Sequence, residues 1–435
     1  MKIINYPSAD AEARIAAIVS RGLEFNKEDI ESVTGILADV RNRGDEAVIA
    51  YTNRFDAPAM TVADILVTAD EIAWARKTVD DGFLSALRRA AGQIESFHRR
   101  QIENSWFDAP RQGVILGQMV IPVSAAGVYV PGARGGMTPL VSSVLMGGIP
   151  AKIAGVERVV MVTPPTADGR VNPHLLVAAD MVGIDRVYKV GSAWAIAALT
   201  YGTETIDPVD VIVGPGNVYV TLAKKMVMGR VGIDGVAGPS EILVIADSHA
   251  DPDFIAADLL SQAEHDALAS AVLVTPSMDV ARAVEAALQA QLAGLSRVEI
   301  AAASIDSYGA ILVVADMEAA MAVANRIAPE HLELQVRDPF DWLGHIKNAG
   351  AVFLGAYTPE PVGDYIAGPN HVLPTGGTAR FSSALSVDCF TKRTSVVYYT
   401  AGAFSAEAGD AVRLAETEGL GAHAESMRIR IKKRQ

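Results

Sequence analysis

Five short blocks in the last two-thirds of the chain carry residue types that hold metals or move protons. They are Gln262 with His265, Glu330 with His331, Asp364, His371, and the near-terminal pair Glu418 and His423. Imidazoles, an amide and a carboxylate suit a divalent cation. An adjacent Glu–His pair suits proton uptake near neutral pH. Taken together the blocks read as one metal-assisted oxidation site. They lie far apart in sequence and meet only if the fold gathers them, which makes the set a hypothesis about a site rather than a linear motif.

Each block also has a plainer reading. Gln262 and His265 fall in a stretch, Asp253–Ser270, whose composition suits a helix. At i and i+3 they share one face, with Ile255 and Leu259 below them, so that face points inward. A buried Gln–His pair needs a metal or hydrogen-bonding partners, and either satisfies it. Glu330 and His331 follow a helical stretch (Met317–Ile327) and precede a strand (Leu332–Val336), a junction at a sheet rim where α/β sites lie. A helix C-terminal histidine resting on the helix dipole would look the same. Asp364, in a Gly-Asp-Tyr turn, also suits an Asx-turn. His371 follows a Gly-Pro-Asn turn, and His423 sits in a polar helical tail where a surface histidine is ordinary.

The elements that must position these residues show two textures. Before Gly113 the chain is helical. Ser8 caps a short arm ending near Gly22. Ile30, Val33, Ile36, Leu37 and Val40 follow a helical period that Gly44 ends. Asp45 opens another short helix, and Asp70–Ser105 reads as one long helix capped by Asp70. After Gly113, β-branched runs alternate with helical stretches: 127–130, 159–162, 187–190, 211–213, 242–245, 271–274, 311–314 and 351–354. Strands and helices in alternation predict parallel βαβ units, and so many strands predict two doubly wound sheets. Past Asp388 the texture predicts a small helical tail.

Bulk composition narrows the function classes. The chain has 435 residues, 50% of them hydrophobic, enough for a large core in two or more domains. A net charge of −14 makes nucleic acid a poor partner, and the one basic run, Arg428–Arg434, reads as a solvated helix end. The single cysteine, Cys389, excludes an internal disulfide framework and an all-cysteine zinc site. No apolar run reaches the roughly 18–20 residues that cross a bilayer, and no signal pattern opens the chain, so a cytoplasmic protein with no membrane partner is expected.

Two glycine-rich loops remain. Residues 213–218 follow a strand and precede a helical run (Tyr219–Val227), so their backbone donors suit a phosphate. Residues 131–136 form another loop, in which Arg134 suits an anion. Either also serves as a plain connection. The Gly-x-Gly-x-x-Gly dinucleotide fingerprint occurs nowhere in the chain.

Blocks of sequence at 128–132, 142–146, 149–155, 195–199, 213–217, 237–241, 259–265, 328–332, 363–365 and 368–375 closely resemble the histidinol dehydrogenase family, in the family's order and over almost the entire chain. The resemblance implies an α/β fold of two Rossmann-like doubly wound domains lacking that fingerprint, with small helical terminal elements exchanged in a homodimer. The boundaries expected on this basis are an N-terminal arm (1–25), a discontinuous catalytic domain (26–128 plus 241–385), a second domain on the NAD side (129–240) and a dimer-crossing tail (386–435).

The same resemblance implies site roles. One Zn2+ per subunit would be held by Gln262, His265, Asp364 and His423, the last donated by the second subunit. Glu330 and His331 match the catalytic pair. Ser142, Ser240, His371 and Glu418 match substrate contacts alongside the metal ligands and His331, with Glu418 also from the partner. Tyr129 and Asn217 match NAD+ contacts. The implied reaction takes L-histidinol through L-histidinaldehyde to L-histidine with two NAD+. Three features depart from the family pattern. Trp194 replaces a glutamine that contacts the dinucleotide, and either stacks on a cofactor ring or fills space. Ser192 stands where a second glycine is common, and the loop at 134–139 is longer. Two other functions use similar parts. One is a zinc- and NAD-dependent dehydrogenase of another primary alcohol, such as a sulfonated propanediol, for which Arg134 would speak and Glu418 would not. The other is a zinc hydrolase, which would need no dinucleotide cleft.

Overall fold

The alternating half of the sequence builds two parallel sheets whose strands are buried on both faces, which is why they read as β-branched runs rather than as an apolar–polar alternation. The computed structural model describes residues 1–21, 25–133 and 138–432; Gly22, Arg134 and the end of the basic run lie outside them. One sheet runs Ile3–Asn5, Ala310–Val313, Ser270–Thr275, Glu241–Ala246, His331–Gln335, Ala351–Leu354, with every pairing parallel. The other runs Gly232–Ile233, Val211–Val213, Ala125–Tyr129, Arg158–Thr163, Arg186–Lys189, again all parallel. The eight expected strands are all present, shifted by at most a few residues at their ends.

Set aside the N-terminal strand of the first sheet, and both sheets have one order: third, second, first, fourth, fifth in chain sequence. In each, the order reverses beside the first strand. The reversal lies between Glu241–Ala246 and His331–Gln335 in one sheet, and between Ala125–Tyr129 and Val211–Val213 in the other. Connections leave in opposite directions at such a point and open a crevice there.

The structure divides the chain differently from the expected boundaries. Helices Lys27–Arg43 and Asp45–Phe55 bury Val33, Ile36, Val40 and Val48 against Ile196, Leu199 and Ile212, so they cover the second sheet, not the first. The expected helix over 70–105 is two helices, Ala69–Thr78 and Asp81–His98. Thr68, rather than Asp70, caps the first; Asp80 breaks the run by taking extended backbone and accepting the Phe83 N–H. Both pack on the other face of the second sheet with Val128, Met161 and Leu176. The N-terminal strand and helix Ala9–Ser20 belong to the first sheet's core. The whole of residues 1–101 and 123–390 forms one compact unit.

Residues 102–122 and 391–435 form a second unit. The tail is not purely helical. Strands Trp106–Arg111, Val114–Pro122 and Thr391–Tyr399 make an antiparallel sheet, followed by helices Ala401–Thr417 and Gly421–Lys432. The Val-Val-Tyr-Tyr end of the last strand has the β-branched and aromatic content that favours a pleated surface. Trp106, Phe107, Val397 and Tyr398 are each more than half exposed in the single chain.

At the second sheet's reversal point the turn after Val213 is clamped. Gly214 has φ +113°, and a Cβ there would lie 2.1 Å from the Tyr129 carbonyl oxygen. Its N–H donates to Asp234 Oδ2 at 2.7 Å and its carbonyl accepts from Lys224 Nζ at 2.9 Å. Lys224 and Asp234 are themselves a buried ion pair. Gly214→Ala is expected to lower unfolding stability by on the order of 2 kcal/mol, measured by urea denaturation. A variant as stable as the parent would show that the turn is not fixed in this way.

Candidate active site

The first sheet's reversal point is where the chemistry-bearing residues gather, and it is the amino rim of the strands that carries them. His331 is the first residue of its strand and pairs with Ile242 next to Glu241, the first residue of the neighbouring strand. Sites in doubly wound sheets usually lie at the carboxyl rim; here the expected rim position holds, but at the opposite end.

Two backbone–carboxylate hydrogen bonds lock the two strand starts together. The Glu241 N–H donates to Glu330 Oε2 (2.9 Å), and the Glu330 N–H donates to Glu241 Oε2 (3.1 Å). The second Glu241 oxygen accepts from Arg21 (3.0 Å) and from the Gly376 N–H (3.1 Å). His331 Nδ1 lies 2.9 Å from the Glu241 carbonyl oxygen and must donate to it. That leaves the lone pair on Nε2, which is buried, lacks a hydrogen-bond partner and lies 3.9 Å from Glu360 Oε1. Burial pushes the His331 pKa down to about 4, so the ring is neutral at pH 7 and its Nε2 lone pair is free to accept a proton. Burial, reinforced by the Glu241 charge, raises the Glu330 pKa well above the usual carboxylate range, which makes its ionised form a stronger base.

His331 opens onto a cavity of about 330 Å³ also lined by Phe353, Gly363, Asp364, Asn370 and His371. Asp364 sits in a single wide π-helical turn, Gly363–Ala367, rather than a tight turn. Such turns re-aim side chains and recur at functional sites. A Cβ at Gly363 would come within 2.6 Å of the Phe353 ring, so glycine lets the turn close on the sheet. His371 Nε2 is buried without a partner, and burial lowers its pKa.

Helix Pro252–Ala263 follows the Glu241 strand and must run back toward the amino rim. Gln262 is in its last turn, buried, with Oε1 unpartnered. His265 is not on this helix: the helix stops at Ala263, and His265 is exposed in the turn beyond. Its imidazole is still near enough to act on the charge of His331.

The donor atoms of His331, Glu360 and Asp364 lie within 4.8 Å of one another, a grouping able to hold a cation. This set differs from Gln262, His265, Asp364 and His423, and Asp364 is common to both. Burial and the nearby Asp364 raise the Glu360 pKa to about 9, so Glu360 keeps a proton and donates it in a hydrogen bond to Asp364. His331 has one free lone pair, which cannot serve as metal ligand and as base at once. Gln262 Oε1, buried without a partner, is a donor left free for a divalent cation.

Glu418 and His423 belong to the second unit. Glu418 caps the end of helix Ala401–Thr417, and His423 is exposed on the next helix. Ser142 is half-buried near the start of helix Val141–Ala154, and Ser240 immediately precedes Glu241. Tyr129 ends its strand at the second sheet's reversal point. Asn217 caps helix Val218–Val227 just after the clamped Gly214 turn, accepting from the Tyr219 and Val220 N–H groups. These two positions flank the crevice where a dinucleotide sits in such sheets. The Tyr129 hydroxyl is buried and accepts from the Ser192 N–H (3.1 Å); Ser192 has φ +48°, the conformation a glycine would take without strain. Trp194 does not face that crevice. It is buried between Tyr51 and Phe55, each ring 5.7 Å away, and its Nε1–H donates to Thr52. Packing, not ring-stacking on a cofactor, accounts for it.

Residues 20–431 match the profile of the histidinol dehydrogenase family. The chain belongs to that family. A histidinol dehydrogenase from Desulfotalea psychrophila is 54% identical over 98% of both chains, and one from Syntrophotalea carbinolica is 52% identical over 99% of both. The crystal structure of histidinol dehydrogenase from Elizabethkingia anophelis superposes with a TM-score of 0.92 at 38% identity, over 100% of this chain and 98% of that one. The function is that of a histidinol dehydrogenase, an oxidoreductase of histidine biosynthesis, and no helix among the described residues is long and apolar enough to cross a membrane.

Reading the family motifs did not single out Arg21, Glu241 or Glu360. Glu241 carried a signal, a charge at the head of the buried run Ile242–Ile245. Glu360 carried another, a carboxylate between prolines four residues before Asp364. Arg21 carried none, because its partner is 220 positions away.

A histidine with a depressed folded pKa stabilises the protein above its unfolded pKa of about 6.5 and loses that contribution as pH falls through the folded value. Chelator-treated protein is therefore expected to lose stability between pH 6.5 and about 4, and His331→Gln to lose less over that window. Urea midpoints at half-unit pH steps measure this; parallel curves would remove His331 as the cause.

Proposed function

We propose that the chain oxidises L-histidinol to L-histidine through L-histidinaldehyde, consuming two NAD+, at a zinc site completed by a second copy of the chain. The observation that carries this reading is the free, neutral Nε2 of His331, near Glu360 and opening onto a cavity that Asp364 and His371 also line. Glu241, Glu330, Glu360 and Asp364 stand around His331, and Arg21 faces Glu241 and Glu330. Carboxyl groups that gain charge when a cation displaces their protons suit a bound cation and a substrate that carries an amino group and an imidazole. They disfavour a sulfonated alcohol.

Gln262, His265 and Asp364 would hold the metal, with His423 of the other copy, and Ser142, Ser240, His371 and the other copy's Glu418 would hold the substrate. When bound, zinc supplies a Lewis acid and an anchor for the substrate nitrogens, and NAD+ supplies the hydride acceptor. His331 Nε2 takes the substrate hydroxyl proton as the carbinol carbon is oxidised. The Glu241 carbonyl holds Nδ1–H throughout, so the imidazolium that forms is stabilised without ring movement. Glu330 then removes a proton from water, whose oxygen adds to the aldehyde carbon. His331, having released its first proton, accepts the hydroxyl proton of the hydrated aldehyde in the second oxidation. Burial of the cavity keeps the reactive amino-aldehyde from escaping between the steps. Tyr129 and Asn217 flank the crevice proposed for NAD+.

The second unit supports the shared-site reading. Its sheet exposes Trp106, Phe107, Val397 and Tyr398, an apolar surface that soluble proteins bury against a partner.

Purified protein given L-histidinol and excess NAD+ is expected to yield two NADH per L-histidine. NADH without histidine would refute the substrate assignment. Glu330→Gln should slow aldehyde oxidation by about 100-fold while leaving alcohol oxidation nearer the parent rate, because only the second half needs activated water. Equal losses in both half-reactions would remove Glu330 from that role. His265→Ala and His423→Ala proteins should each be inactive, and mixing them should restore a fraction of sites. Failure of any mixture to regain activity would count against a site built from two subunits.

A further inference from the structure

Beneath the site lies a buried polar ladder that the chemistry does not use. The strand His331–Gln335 alternates strictly. Leu332, Leu334 and Val336 enter one core, while His331, Glu333 and Gln335 share the opposite face. Glu333 is fully buried. Its Oε1 accepts the Glu360 N–H at 2.9 Å, at the start of the segment that presents Asp364 four residues later. Its other oxygen accepts from Gln335 Nε2 at 3.2 Å, and the same Nε2 donates to Asp258 Oδ2 at 3.0 Å. Asp258 and Glu333 also share a hydrogen bond between their carboxyls. Asp258 sits one helical turn before Gln262 on helix Pro252–Ala263, on the same face.

We propose that Glu333 is a positioning residue. It ties the Gln262 helix and the Asp364 turn to the strand that bears His331, and so fixes the spacing of two metal ligands without touching the metal. A leucine at this position would suit a buried strand and avoid the cost of burying an acid pair. What the acid supplies is reach in two directions at once, to the Glu360 backbone and to Asp258. Residues that orient ligands in this way typically change metal affinity by 10–100-fold when removed. The inference rests on the zinc reading above.

The test is the zinc dissociation constant of the folded, metal-stripped protein, measured by competition with a chromogenic chelator, which needs no turnover. Glu333→Leu is expected to weaken zinc binding at least about 10-fold. Glu333→Gln should stay within about 3-fold, because its amide oxygen still accepts the Glu360 N–H and its NH2 still reaches Asp258, with only the long contact from Gln335 lost. Circular dichroism and thermal unfolding establish that each variant is folded. Should Glu333→Leu not fold, Glu333→Thr, too short to reach Glu360, carries the same expectation. Affinity lost in Asp364→Asn but kept in Glu333→Leu overturns this proposal alone. Affinity unchanged in Asp364→Asn overturns the metal assignment, and the proposal with it. Equal weakening in Glu333→Gln and Glu333→Leu would also overturn it, since the hydrogen bonds would then not be what matters.

Discussion

A reciprocal pair of backbone–carboxylate hydrogen bonds between Glu241 and Glu330 holds the site together. It joins, at their amino ends, the two strands of the first sheet between which the strand order reverses. The consequences spread outward from it. The Glu241 carbonyl fixes the tautomer of His331. The Glu241 carboxylate raises the basicity of Glu330. Arg21, drawn to the same carboxylate, anchors the end of the N-terminal segment to the site. A buried carboxylate without such partners would be prohibitively costly, so each contact stabilises the others.

Both sheets share one strand order, yet they use opposite rims. The second places Tyr129 and Asn217 at its carboxyl rim, beside a turn held open by Gly214 and braced by the Lys224–Asp234 pair. The first places Glu330 and His331, the pair proposed to be catalytic, at the amino rim. That choice follows from where the functional groups can come from. At the amino rim, the end of helix Pro252–Ala263, the start of the His331 strand and the turn around Asp364 all arrive together, and each can lend a side chain without breaking a strand.

Much of this was legible in the sequence. The eight β-branched runs, the helices ending at Gly44 and Ile327, and the Glu–His pair at a strand start all follow from local period and turn chemistry. Other features were not. The antiparallel sheet of the second unit went unseen because its strands are far apart in the chain: Thr391–Tyr399 pairs with Val114–Pro122, some 270 positions earlier. The helices of residues 27–98 were assigned to the wrong sheet because an amphipathic face records that it is buried, not against what. His265 lies past the helix end, where Glu264 closes the last turn. Sequence alone left Trp194 between stacking on a cofactor ring and filling space; Tyr51 and Phe55, both distant in sequence, enclose it and decide for packing.

By itself the sequence determined the alternation of strands and helices, the family, and the residue types available for the chemistry, because these depend on short-range period, composition and ordered motifs. Only the tertiary structure decided which rim of which sheet carries the site, which nitrogen of His331 is free, and that Glu241, Glu333 and Glu360 stand around it. Those facts depend on electrostatics between groups brought together by strand pairing. No local window of sequence contains both partners.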